Sequence, residues 1–160
     1  LKAVTIKQLK DELSHKSALD LKELCLQLGR FKKENKELLT YLLFECHDEE
    51  AYIQTIKEEV ALQFSEINTN SFFYIRKSTR KILTAIKKHI RYSKKKETEA
   101  ELLLYFCKKL KEFKPSISRS TRLQSIFDTQ VRMIKKAIEK LHEDLQYDFQ
   151  LELDELLDNE

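Results

Sequence analysis

One glycine, Gly29, and one proline, Pro115, serve a chain of 160 residues, where average usage would supply roughly 11 and 8. β-Folds turn their corners with residues that take positive φ or a fixed φ. A chain almost without them must turn by ending and capping helices, so the fold class expected is all-α. The same shortage excludes G-x-G-x-x-G, the P-loop and the G-x-S-x-G elbow. Each of these needs glycine where backbone approaches a ligand or turns sharply.

The length suits a single domain over 1–160, long enough to bury a real core. Apolar residues make up 41% and drive collapse, while charged residues reach 36%, above the usual quarter or so. High charge beside plentiful Leu, Ile and Phe means wet helix faces rather than disorder. Cys25, Cys46 and Cys107 are odd in number, form no C-x-x-C and sit beside apolar residues. They read as small core residues in a reducing compartment. The opening stretch LKAVTIKQLKDELS has no apolar signal-peptide core. No apolar run approaches the ~18 residues of a membrane span. A soluble, cytoplasmic protein with no membrane contact is expected.

Hydrophobic spacing and capping residues predict six or seven helices. Helix 1 covers 5–14, with Ile6, Leu9 and Leu13 on one face. Helix 2 starts at Ser17 with face Leu21, Leu24, Cys25 and Leu28, and Gly29 stands where a left-handed C-cap is wanted. Helix 3, 34–46, is apolar all round through LLTYLLF and so reads as buried. Asp48 caps helix 4, 49–67. NTNS, Asn68 to Ser71, caps helix 5, which begins at Phe72. SKKKET breaks that helix, and Thr98 with Glu101 forms a capping box for helix 6, 99–112. ELLLYFC makes helix 6 as central as helix 3. After the break at KPSISRST, helix 7 runs from Ser120 to Leu157, ~55 Å unless it bends or breaks near Gln146. Short connections favour antiparallel hairpins.

The stretches RFKKENKELLTYLLFEC from Arg30 and RYSKKKETEAELLLYFC from Arg91 run in parallel. Both open on Arg and an aromatic, pass through lysines to a polar residue, Asn35 or Thr98, and enter E-L-L-x-Y. This suggests an internal repeat, 17–67 and 70–145, and with it an α-solenoid-like or pseudo-repeat bundle. The block SHKSALDLKELCLQLGRFKKENKELLTYLLFE, Ser14–Glu45, resembles a group of uncharacterised bacterial all-helical proteins. That resemblance implies a helical fold and a bacterial origin and carries no activity. The paired-helix texture also resembles TPR and HEAT repeats, although the Trp, Gly and Pro positions of TPR units are missing.

Charge is unevenly placed. The net +3 divides into −3 over 1–66, +10 over 67–96, +4 over 97–142 and −8 over 143–160. Phe72 to Lys96 carries ten Lys or Arg and no acid. At 100° per residue from Arg76, the residues Phe72, Ile75, Thr79, Ile82, Leu83, Ile86 and Ile90 fall between about 240° and 340°. Arg76, Lys77, Arg80, Lys81, Lys87, Lys88, Arg91, Lys94 and Lys95 fall between about 0° and 140°. One face is therefore to be buried, and the adjoining one is a cationic stripe. Phe73 lies inside the stripe, with Tyr74 and Tyr92 at its margin. Cations with interleaved aromatics suit phosphate neutralisation and base stacking. Arg30, Lys32, Lys33 and Lys36 form a second basic junction, which the repeat would bring to the same edge. A solvated face paired to acidic neighbours is the plainer alternative. The acidic end, Glu143, Asp144, Asp148, Glu152, Asp154, Glu155, Asp158 and Glu160, is the obvious competitor for the stripe. Its alternating leucines also suit docking in a groove.

Two E-x-x-H pairs, Glu12/His15 and Glu139/His142, have the spacing of di-iron ligands. Both lie off the apolar faces of their helices, so no metal site is expected. ECHDEE, Glu45 to Glu50, is a helix junction in which Asp48 serves as cap. Cys46 and His47 are adjacent only in sequence, and His89 sits between the two faces of helix 5. No cofactor is indicated. The leading expectation is a non-catalytic binding module for a protein partner or for self-association. Polyanion or nucleic-acid binding through the stripe comes next, and an enzyme without glycine motifs third.

Overall fold

The computed structural model describes residues 1–158; Asn159 and Glu160, and with them the last acid of the charged end, lie outside the described residues. Every regular element described is helical, with eight α-helices. No helix among them is long and apolar enough to cross a membrane. The chain divides into two compact units, Leu1–Phe44 and Glu45 onward.

In the N-terminal unit, α1 (Ile6–Leu13) starts at Thr5, whose side chain forms a capping box with Gln8. Helix α2 (Ala18–Phe31) starts at Ser17, whose hydroxyl accepts from the Asp20 N–H as expected. Gly29 does not end the helix. It is helical and buried, and α2 runs two residues further. Its role is close approach, since a Cβ there would stand 3.2 Å from Leu39 Cδ1 of α3 (Lys33–Thr40). Lys32, in extended conformation, links the two helices alone. Asn35, the polar residue matched to Thr98 in the repeat comparison, donates its side-chain N–H to the Leu28 carbonyl near the end of α2.

The expected burial of helix 3 does not hold. After Thr40 the chain widens into a π-helical turn, Tyr41–Glu45, in which Tyr41 is buried but Leu42, Leu43 and Phe44 are exposed. An apolar run is buried only if neighbours cover every side of it, and three short helices supply too few.

The second unit is a bundle built around α6. Helix α4 (Glu49–Ser65) is capped by Asp48, α5 (Phe72–Ser93) by Ser71 and α7 (Thr121–Glu139) by Ser120. Helix α6 (Lys96–Glu112) packs against α4, α5, α7 and α8 (Glu143–Asp158). Its apolar-all-round sequence is used in full, for Ala100, Leu102, Leu103, Phe106, Cys107 and Leu110 are essentially inaccessible. Phe106 also meets Phe64 of α4 at a ring separation of 5.8 Å.

Two boundaries differ from expectation. Helix α6 begins at Lys96, so Thr98 is no cap. It lies inside the helix, fully buried, and donates to Glu49 Oε1 at 3.2 Å. The same carboxylate accepts from Ser93 at 2.8 Å and faces the Lys95 ammonium at 3.3 Å. The tertiary partner Glu49 thus displaces the local capping pattern. The single long helix 7 is really two helices, which raises the count to eight. The break falls at Lys140–His142, and Gln146 Nε2 holds it by donating to the carbonyls of Glu139 and Leu141. Apolar spacing continues across the break, so periodicity alone conceals it.

Candidate functional site

Helix α5 owes its orientation to its apolar side. Ile75, Thr79, Ile82, Leu83 and Ile86 are buried as the angular pattern requires, and the helix packs on α4 and α6. Lys77, Arg80, Lys81, Arg91, Lys94 and Lys95 are exposed, and Arg76, Lys87 and Lys88 half-buried. Tyr92 is not at the margin of the stripe. It is buried, with its ring edge-on to His89 at 5.8 Å, and His89 Nδ1 lies 2.7 Å from the Tyr52 hydroxyl. The rings offered to solvent are Phe73, 60% exposed, and Tyr74, 46% exposed, edge-to-face at 5.5 Å.

Lys95 turns toward Glu49. By contrast, among the described residues no carboxylate lies within 4.0 Å of the side-chain nitrogens of Arg76, Lys77, Arg80, Lys81, Lys87, Arg91 or Lys94. The described residues of the acidic end, 143–158, bring no carboxylate within 4.0 Å of these seven. Helix α8 packs on α6 and α7 by burying Leu153 and Leu156, and Lys111 donates to the Leu156 carbonyl. Arg30, Lys32 and Lys33 belong to the N-terminal unit, where they are exposed around the α2–α3 link. Lys33 lies 3.8 Å from Glu37 one turn on.

One cation near α5 was not legible in the sequence. Arg119, in the 3₁₀ turn Ile117–Arg119, holds its guanidinium 5.8 Å from the Phe72 ring centre. It comes from a turn far along the chain, so no local pattern announces it.

A cleft of about 700 Å³ opens between α4, α6 and α8. It is lined by both signs of charge, chiefly Lys57, Glu101, Tyr105, Lys108, Glu152 and Glu155. Lys57 pairs with Glu101 at 2.9 Å and lies 5.5 Å from the Tyr105 ring centre. Partial burial, and then the nearby Glu101 carboxylate, push the Glu152 carboxyl above its ordinary range. Its described lining residues do not set a nucleophile beside a base and an orienting group, the arrangement that acyl or phosphoryl chemistry requires.

The sites weighed for metal or thiol chemistry stay dispersed. Glu12, His15, Glu139, His142 and His47 are exposed. No group of three or more His, Cys, Asp or Glu among the described residues is placed to hold a metal ion. The cysteines differ from one another. Cys107 is buried, but Cys46 is half-buried and Cys25 exposed, so the reading of all three as core residues fails. Burial, and secondarily Asp128, push the Cys107 thiol up to about 12, which keeps it protonated and inert.

The N-terminal unit presents the opposite kind of surface. Ile6, Leu9 and Leu13 of α1 are exposed, as are Leu21, Leu24, Leu28 and Phe31 of α2, with Ile6 at 80% and Phe31 at 84%. Up to Phe44, only Gly29 and Tyr41 are buried. No protein family, curated protein or solved structure matches the chain, so its surfaces speak only through their own chemistry.

Proposed function

We propose that this chain is a non-catalytic helical binding module that associates with a second copy of itself through the apolar faces of α1 and α2. One observation carries this reading, the nine large apolar side chains left open along those two helices, Leu19 and Leu26 among them. Fully burying one such side chain is worth about 1.5–3 kcal/mol, so a surface of this kind is stabilised by a partner. Their spacing also fits helix-to-helix packing. Ile6, Leu9, Leu13 and Leu21, Leu24, Leu28, Phe31 follow the alternating three-and-four spacing of a and d positions. A symmetric pair lets each seam meet its own like, the commonest closed arrangement. The reading places the protein in a bacterial cytoplasm, which its odd number of cysteines without a C-x-x-C fits. The test is molar mass by light scattering across a hundredfold concentration range. Twice the chain mass at the upper end supports the reading, and a monomer throughout contradicts it.

A second reading, polyanion binding along α5, is favoured by the seven cations that no carboxylate approaches within 4.0 Å among the described residues. Binding of heparin at low salt, with affinity falling linearly in log–log form as salt rises, is the expected signature.

A further inference from the structure

We infer that the first half of α5 is a single-stranded nucleic-acid site in which Phe73 and Tyr74 stack on unpaired bases while the adjoining cations hold the phosphates. The inference rests on the polyanion reading and names its ligand.

It starts from two rings that the fold leaves open. Helix α5 has already placed Ile75, Thr79, Ile82, Leu83 and Ile86 in the core, so it does not need Phe73 or Tyr74 for packing. Yet both rings stand in solvent at its first turn. On a helix the residues three and four along are the nearest neighbours on the same face. For Phe73 these are Arg76 and Lys77, and Arg80 follows one turn later. Among the described residues no carboxylate lies within 4.0 Å of any of the three. Arg119 stands over Phe72, next in the chain to Phe73, and brings a further exposed guanidinium to the same end of the helix. Rings and cations from two elements therefore meet at one place. Beyond it the cations continue to Lys94, ~30 Å further at 1.5 Å per residue.

This combination selects among polyanions. A cationic track alone serves duplex, heparin or an anionic bilayer equally well, because it reads only charge. Exposed rings beside it gain most from bases that are not already stacked in a duplex. Arginine adds a planar surface of its own beside a base. Stacking on rings and phosphate pairing read π-faces and charge rather than base edges, so binding is tolerant of sequence.

The experiment titrates the full chain, by fluorescence anisotropy, against a labelled oligo-dT of about 15 nucleotides, a duplex of equal charge, heparin and anionic phospholipid vesicles. Each is measured at two salt concentrations, for the wild type, Phe73→Ala, Tyr74→Ala and Arg80→Ala. Exposure of all three side chains leaves the fold intact, which circular dichroism verifies. The inference expects oligo-dT to bind more tightly than the duplex. Phe73→Ala or Tyr74→Ala should weaken oligo-dT binding by about 5- to 150-fold and leave the salt slope and the duplex affinity unchanged. Arg80→Ala should weaken every arm and flatten the slope. Equal affinity for oligo-dT, duplex and heparin, indifferent to both ring substitutions, overturns the inference and leaves the polyanion reading standing. Preference for vesicles over every nucleic acid overturns it in favour of a membrane surface. Failure to bind any of the four at low salt overturns both.

Discussion

Replacing Lys94 by glycine separates the fold from the charge of α5. Lys94 closes the helix at φ 61°, ψ 5°, with its N–H bonded to the Ile90 carbonyl at 2.8 Å. It is the residue described at positive φ, and it is not a glycine. Left-handed backbone costs a residue with a Cβ roughly 1–2 kcal/mol. Glycine avoids that cost but gives back about 0.5–1 kcal/mol through its freer unfolded chain. A net gain of about 0.5–1 kcal/mol follows, a rise in Tm of about 1–4 °C for a chain of this size. The same substitution removes one exposed cation. If Lys94 holds a phosphate, the slope of log affinity against log salt for single strands falls by about 0.7. Lys94→Ala is the control, since it removes the charge and keeps the Cβ, and so should lower the slope without raising Tm. Calorimetry and anisotropy titrations read the two effects separately. A Tm that falls in Lys94→Gly refutes the strain argument, and a slope unmoved in both variants removes Lys94 from the stripe.

Other consequences are equally direct. Phe106→Ala empties the centre of α6 and should cost about 3–5 kcal/mol in urea unfolding, whereas Phe73→Ala, exposed on α5, should stay within about 0.5 kcal/mol. The raised carboxyl of Glu152 favours its protonated form in the fold, so its contribution is present in acid and is lost as pH climbs through the folded value. Glu152→Gln should therefore raise Tm at neutral pH and leave it unchanged in acid, where the glutamate is already neutral. Cys107 should resist alkylation in the native chain while Cys25 reacts readily. Because the folded Cys107 thiol is held up to about 12 against 9.0, its contribution is intact below 9.0 and fades as pH rises toward 12.

Glycine and proline scarcity carried the fold class, and the all-α reading follows from it directly. The buried side of α5 and the central place of α6 were legible for a related reason. Both are long enough for periodicity or uniform apolarity to outweigh local noise. Apart from the local break between α7 and α8, what sequence concealed was tertiary. Glu49 gathers Ser93, Lys95 and Thr98 from across the bundle, and so Thr98 reads as a cap when it is a buried donor. Gly29 reads as a terminator because its contact, Leu39, lies on another helix. The stretch Leu42–Phe44 reads as core because sequence shows apolarity but not what covers it. For the candidate surfaces, the cations of α5 were visible as a pattern. The burial of Tyr92 and the arrival of Arg119 were not, because both depend on neighbours supplied by the fold.

The central claim, self-association through α1 and α2, is tested most directly by sedimentation equilibrium of the wild type beside the double variant Leu24→Glu, Leu28→Glu. These leucines are 39% and 58% exposed. Burying that exposed fraction in two copies is worth up to about 3–6 kcal/mol at the usual value per side chain, two to four decades in dissociation constant. The account predicts a reversible dimer for the wild type and a folded monomer, dissociated at every concentration tested, for the variant. A wild-type monomer, or a dimer equally stable in the variant, would contradict it.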